Sequence, residues 1–117
     1  MLKAMVRSLR EHKGLQGLLA DGSSGIYHQS SPDGCRYPNI IYSVISDVPA
    51  LHGDNQELQS RVTVRIHIVT KDGAYEDIFL AVQSVMLQLG FMRVQTVDVF
   101  EDGLKVKVVD YRIGVEL

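Results

Sequence analysis

The stretch Arg61-Val62-Thr63-Val64-Arg65-Ile66-His67-Ile68-Val69-Thr70 decides the fold of this chain. Its even positions from 62 to 68 are apolar and its odd positions from 61 to 67 are polar. This period of two is typical of a β-strand with one buried and one polar face. The strand is therefore predicted to belong to an antiparallel sheet that carries helices on one side.

A helix is predicted directly after this strand, over residues 73 to 89. Its apolar residues recur every three or four positions, at Ile78, Val82, Val85, Met86 and Leu89. Asp72 is the predicted N-cap and Gly90 the predicted C-cap, because these residue types satisfy the free backbone groups at helix ends.

The C-terminal part predicts a hairpin between strands at Val94 to Phe100 and Leu104 to Val115. Asp102-Gly103 lies between them, and this dipeptide is a strong signal for a two-residue turn. The apolar phase changes within the last strand, and one extra residue would reverse the facing of every later side chain. We therefore expect a bulge near Val108 or Val109.

The N-terminal part predicts a helix over residues 2 to 13, with apolar positions at Leu2, Met5, Val6 and Leu9. Leu15, Leu18 and Leu19 predict that a short second piece follows Gly14. An extended loop from Asp21 to Pro38 comes next, with a short strand possible at Ile26 to His28. An inner strand starts at Pro38, and Pro49 is expected to stop it.

Two long polar connections are predicted as contact arms, because long loops in a small domain are usually functional. The first is Asp21 to Arg36 and contains the candidate interface residues Tyr27 and Arg36. The second is Ala50 to Ser60 and contains the candidates Asp54 and Glu57. Both would extend from a single α+β domain, residues 1 to 117, built on a mostly antiparallel four-stranded sheet with two helices on one face.

Composition argues against several classes of function. The 12 basic and 14 acidic residues are nearly balanced and the basic ones are scattered, which disfavours nucleic acid as the primary ligand. Cys35 has no second cysteine, and the four histidines have no metal-ligand spacing. We expect no catalytic, cofactor-binding or metal site, no membrane span and no enzyme activity.

Arg61, Arg65 and His67 share the polar face of the central strand. They complete the candidate interface residues, since this face can meet an acidic partner or another copy of the chain. The alternative is a solvated outer strand face, which is the commoner case in antiparallel sheets.

The order of elements and several local phrases resemble one protein family. The phrases are Tyr37-Pro38-Asn39-Ile40-Ile41-Tyr42, Arg61-Val62-Thr63-Val64-Arg65-Ile66, Leu89-Gly90-Phe91 and Val109-Asp110-Tyr111-Arg112-Ile113. Together they resemble the small tail-completion or tail-terminator proteins, minor tail proteins of long-tailed phages and prophages. The resemblance covers nearly the whole chain, and the chain departs from the pattern at Ser30 to Arg36.

The resemblance implies a structural assembly protein without catalytic residues or cofactors. Such proteins form a ring, typically six-fold, on the head-proximal end of the tail tube, where they stop tube polymerisation and offer a docking surface to the head. The implied partners are further copies of the chain, the tail-tube protein and the head-completion or connector protein, with no sequence-specific nucleic acid and no membrane. The implied location is the virion, and the host bacterial cytoplasm during assembly.

Two other classes of function are alternatives. Another head-tail joining or tail-tube subunit shares the size and pattern, and differs in which surfaces self-associate. A small-ligand-binding α+β domain or enzyme would need convergent polar groups in a pocket.

Overall fold

The computed structural model describes residues 2–53 and 56–116, with the side chains of residues 2–49 and 59–115. The helices are α1 (Leu2–Glu11), α2 (Lys13–Leu18), a 3-10 helix (Gly22–Gly25) and α3 (Glu76–Gln88). The strands are β1 (Ile26–His28), β2 (Asn39–Gly53), β3 (Gln56–Thr70), β4 (Met92–Glu101) and β5 (Leu104–Glu116).

The described strands form one five-stranded sheet in the order β1-β2-β3-β5-β4. β1 runs parallel to β2, and the other neighbours are antiparallel. The α+β class is as predicted, but the sheet is five-stranded and mixed rather than four-stranded. The fifth strand is the short segment Ile26–His28. It is parallel because the loop that follows it returns the chain to the same end of the sheet before β2 begins.

The helices cover one face of the sheet and bury its apolar side chains. Ile66 of β3 pairs with Val109 of β5, and Val64 pairs with Tyr111. All four are fully buried beneath the helices. The helices contribute the buried residues Met5, Leu9, Leu15, Ile78, Val82 and Met86. The apolar side chains that alternate along residues 61 to 70 therefore face the core, as predicted.

The first helix ends at Glu11, two residues before the predicted end at residue 13. His12 separates α1 from α2, and its Nδ1 accepts a hydrogen bond from the Leu15 amide at 3.0 Å. The imidazole thus caps the second helix. Three α-helices are therefore present among the described residues: the two that were predicted on the sheet, and the short second piece predicted after Gly14, which begins at Lys13.

The predicted N-cap of α3 is wrong. The helix begins at Glu76, after Tyr75. Asp72 instead accepts a hydrogen bond from the Ala74 amide at 3.0 Å and shapes the preceding turn. Short acidic side chains stabilise such turns as readily as helix starts, so the residue type alone does not separate the two.

The end of α3 follows the glycine rule. Leu89 is the C-cap, and Gly90 follows it with a φ of 95°. The Gly90 amide donates to the Leu87 carbonyl at 3.1 Å, and the Phe91 amide donates to Met86 at 3.0 Å. This pair of bonds is the Schellman arrangement, and it directs the buried Phe91 back into the core.

The prediction that Pro49 ends its strand is also wrong. β2 continues to Gly53, and β3 begins at Gln56, so most of the predicted wide connection Ala50 to Ser60 is a β-hairpin. Pro49 pairs with Ser60 beside a register shift, and a proline is tolerated at such an irregularity because no regular ladder bond is required of it.

The C-terminal hairpin is confirmed, but its predicted bulge lies on the other strand. Asp102 and Gly103 have φ values of 52° and 76°, as a two-residue hairpin turn requires. The pairing of β5 with β3 is continuous, and the register shift lies in β4 between Arg93 and Gln95. The apolar phase change in β5 therefore means that the strand is apolar on both faces.

Candidate assembly surfaces

The face of the sheet opposite the helices carries an internal polar network. Arg65 of β3 donates to Asp110 of β5 through Nε at 2.8 Å and through an Nη atom at 3.1 Å. Gln95 of β4 donates to the same carboxylate at 2.7 Å. The network therefore joins three adjacent strands on the helix-free face.

The electrostatics of this network follow from its burial. Asp110 is 2% exposed, and its hydrogen bonds from Arg65 hold the pKa of its carboxyl below the ordinary value. The same pairing raises the pKa of Arg65. Arg65 is thus satisfied within the chain, and its predicted role in meeting an acidic partner remains a prediction.

His67 is half-buried on the same face. Burial, and next the nearby charge of Arg65, lower the pKa of its imidazole. Its Nδ1 is buried and has no hydrogen-bond partner among the described residues. The neutral ring is therefore the form that this site favours.

Four valines and this network line a shallow cavity of about 300 Å³ on the helix-free face. The valines come from the last two strands, at positions Val97, Val99, Val106 and Val108. The helix-free face is therefore apolar over β4 and β5. The alternating pattern of β3 made a fully solvated polar face the commoner expectation, and the structure differs from it.

Arg61 lies farther along the helix-free face. It is exposed and lies opposite Gly114 of β5. Arg61, Arg112 and Met92 line a second depression of about 360 Å³. Arg61, Arg65 and His67 thus share a face as predicted, but only Arg61 of the three presents its side chain openly to solvent.

The first predicted arm is tied to the body of the domain at both ends. Arg36 donates to Asp21 at 2.8 Å and to the Ala20 carbonyl at 2.6 Å. The Asn39 amide group donates to the Arg36 carbonyl at 3.0 Å. Arg36 therefore holds the loop in place, while its guanidinium stays largely exposed.

Tyr27 lies in the edge strand β1 within this arm. Burial, followed by the negative charge of Asp21, raises the pKa of its hydroxyl. The second arm is described by its backbone only. Glu57 pairs with His52 in the hairpin, whereas Asp54 lies outside the described residues. Their predicted interface roles remain predictions.

Sequence analysis missed a groove on the helix-bearing side. It has a volume of about 480 Å³ and lies between α1 and the edge formed by β1 and β2. Leu2, Val6 and Tyr42 supply its apolar lining, and Lys3 and Arg7 lie on its rim. The ring of Tyr42 stacks on His28 at 4.8 Å. The amphipathic pattern of α1 located its core side but gave no signal for a groove, which depends on how the helix crosses β2.

The edge strand β4 is a second missed surface. Among the described residues it pairs only with β5, so its outer edge is free of a strand neighbour. Met92 is 72% exposed and Phe100 is 71% exposed, and Val94, Val97 and Val99 are also exposed. In the sequence, apolar residues occur at both odd and even positions from 92 to 100, and this pattern could have indicated a strand that is apolar on both faces. Long exposed apolar edges are surfaces that other chains can pair with or cover.

No group of three or more histidine, cysteine, aspartate or glutamate side chains in the described part of the chain is positioned to hold a metal ion. No helix in the described ranges is long and apolar enough to cross a membrane.

Comparison with known proteins gives a match at the level of structure. No protein-family model matches the sequence, and the search of curated proteins gives no significant match. Solved structures do match, among them a chain of the structure titled "Virion of native gene transfer agent (GTA) particle". The likeness has a TM-score of 0.67 at 14% identity and covers 100% of this chain and 95% of the other. The two chains therefore share one fold over their length.

Proposed function

We propose that this protein is a virion assembly protein, a tail terminator or completion factor. It forms a ring at the head-proximal end of a phage tail tube, stops tube polymerisation and provides the surface to which the head docks. In this role the chain is no enzyme and works through contacts with its own copies, the tail-tube protein and the head connector.

The observation that carries this proposal is the end-to-end structural likeness to a chain of a gene transfer agent virion. Two chains that match over 100% and 95% of their lengths share their whole architecture rather than one common motif. Fold alone does not determine function. The proposal therefore also draws on the sequence phrases that resemble tail-terminator proteins and on the surfaces of this chain.

Those surfaces suit a protein that packs against other proteins. Arg65, Asp110 and Gln95 are engaged with one another, so they stiffen the sheet rather than project reactive groups. Exposed apolar side chains instead lie along β4. Apolar patches with polar rims are typical of protein-protein contact sites.

A ring requires that one surface of each copy binds a different surface of the next, and that the rotation closes. The formal net charge of −2 suits a ring through which DNA passes, because a strongly basic lumen would hold the phosphate backbone. Assembly on the tail tube supplies extra binding energy, so the free protein need not be a ring in solution.

Deletion of the gene in its phage, prophage or transfer-agent cluster tests the proposal, with electron microscopy of the tails as the readout. We expect abnormally long tails that fail to join heads. Expression of the intact protein in trans should restore both properties. A variant with Ala50 to Ser60 shortened should fail to restore them, if that hairpin contacts the ring or the tube.

The same deletion separates the rival functions. Loss of a tail-tube subunit leaves no tubes, whereas loss of another head-tail joining subunit leaves tails of normal length without heads. Tails of normal length on joined heads would overturn every assembly role and return attention to a ligand-binding function.

A further inference from the structure

The tip of the β4–β5 hairpin presents an aromatic side chain among acidic residues. Phe100 is 71% exposed, although its ring is large and apolar. Glu101 and Asp102 follow it and are exposed, whereas Asp98 is paired with Lys107 at 2.9 Å and the exposed Lys105 lies opposite Phe100. The two-residue turn fixes the backbone that carries these groups, so little backbone freedom is lost on binding.

The groove beside α1 has the complementary character. Leu2, Val6 and Tyr42 give it an apolar floor, and the charged residues that line it are Lys3, Arg7, Arg10 and Glu11, which are basic on balance. Lys3 and Arg7 are exposed and form none of the ion pairs found among the described residues. Arg10 donates to the Ile26 carbonyl at 3.2 Å, which fixes α1 against β1. A cavity of about 150 Å³ admits a benzene ring. The groove, at about 480 Å³, therefore has room for the Phe100 side chain and part of its strand.

These two surfaces lie on opposite edges of the sheet and both on its helix-bearing side, but Phe100 lies about 13 Å farther along the strands than the level of Tyr42. Tyr42 of the groove pairs with Ile66, which pairs with Val109, which pairs with Thr96 of β4. Phe100 lies four residues farther along β4 and shares the parity of Thr96, so it too faces the helix-bearing side. A copy placed beside another at the free edge of β4, and shifted along the strands by about 13 Å, therefore brings its groove to the hairpin tip.

We propose that the hairpin tip of one copy, with Phe100 at its centre, inserts into the α1 groove of the next copy. Phe100 packs against Leu2, Val6 and Tyr42, while Glu101 and Asp102 meet Lys3 and Arg7. The occupant is a second copy because the chain carries both the acidic aromatic tip and the basic groove. The contact joins two different surfaces, so it repeats from copy to copy and generates a ring when the rotation closes. This inference rests on the proposed function for its ring.

Site-directed cross-linking tests the contact, both in the purified full chain and in particles assembled in the deletion strain, because the free protein need not form a ring. In a Cys35→Ser background, a tagged Val6→Cys protein is mixed with an untagged Lys105→Cys protein under mild oxidation, because Lys105 lies opposite Phe100 in the hairpin and its replacement keeps the ring. We expect a disulfide-linked heterodimer to form at least tenfold faster than with Ser84→Cys, an exposed control position on α3. Equal rates for the two positions would overturn the contact.

Charge exchange tests the rim pairing with the same readout. Lys3→Glu and Arg7→Glu on the Val6→Cys copy should slow cross-linking severalfold, and Glu101→Lys with Asp102→Asn on the other copy should recover the rate. Asparagine is used at 102 because it tolerates the positive φ there. Added salt should slow the wild-type reaction and leave the control pair unchanged. An unchanged rate in the groove variant would contradict the ionic part of the contact.

The cross-linking test of the contact and the gene-deletion test of the proposed function can fail independently. Specific cross-linking together with normal tails in the gene deletion keeps the contact and overturns the terminator role. Long, headless tails together with no specific cross-linking keep the role and overturn the contact. A Phe100→Ser protein that restores normal tails in the deletion strain would also overturn the contact.

Discussion

Arg65 and Asp110 lie opposite each other on β3 and β5 and form a two-point ion pair, with distances of 2.8 Å and 3.1 Å. The pair is unequal, since the arginine side chain is 36% exposed and the aspartate side chain 3% exposed. The carboxylate therefore depends on the arginine, whereas the arginine retains access to water.

This inequality predicts that Arg65→Ala destabilises the protein more than Asp110→Ala does. Loss of the arginine leaves a buried carboxylate with Gln95 as its remaining side-chain donor, and we expect a cost of about 3 kcal/mol in urea unfolding. The double variant should recover part of this loss, because no buried charge is then stranded. Arg36→Ala is the control, since the exposed Arg36–Asp21 pair should contribute less than about 1 kcal/mol. Equal costs for Arg65→Ala and the control would contradict the proposed dependence.

His67 predicts a loss of stability in mildly acidic solution. Burial and the charge of Arg65 lower its pKa from the ordinary value of 6.5, so the unfolded chain takes up a proton at higher pH than the folded chain does. The free energy of unfolding should therefore be fully retained above pH 6.5 and should fall as the pH drops from there towards the folded-state pKa. Urea unfolding from pH 7.5 to 5 measures this. His67→Gln should flatten the profile in that window, and a variant profile parallel to that of the wild type would be the contrary result.

The two faces of β3 predict opposite responses to a new carboxylate. Ile66 is fully buried under the helices, and Ile66→Asp should abolish cooperative unfolding. An unpaired buried charge costs several kcal/mol, against a total stability of about 5–15 kcal/mol. Arg61→Asp, at an exposed position on the other face, should stay folded with a similar circular dichroism spectrum. A folded Ile66→Asp protein would mean that the assigned facing is wrong.

Two glycines predict stability changes of opposite sign when they are replaced by alanine. Gly90 has a φ of 95°, which an L-residue adopts only with strain, so Gly90→Ala should cost about 1 kcal/mol or more. Gly17 lies in α2 with open space around it, and Gly17→Ala should stabilise the protein by about 0.5–1 kcal/mol. Thermal unfolding of both variants measures the difference, and a shift of the same sign in both would contradict the assigned helix ends.

The errors made from the sequence share a physical cause. Proline at position 49 and aspartate at 72 are correct signals for an interruption and a turn, yet each is compatible with more than one local structure. The choice depends on the partner strand that faces Pro49 and on where α3 packs over the sheet. The phase change in β5 was interpreted as a bulge, because the sequence does not reveal that β4 and β5 carry apolar side chains on both faces.

The sequence by itself determined the elements whose signals are local. These are the alternation at residues 61 to 70, the helical spacing that became α3, and the turn at Asp102-Gly103, because periodicity and turn geometry depend on near neighbours in the chain. Only the tertiary structure decided which side chains are exposed, which charges are paired and where the groove lies. Arg65 and Asp110 are 45 positions apart, and the groove needs α1 to cross β2. Exposure and charge pairing depend on such distant neighbours, so only the folded chain brings together the groups that could hold an assembly.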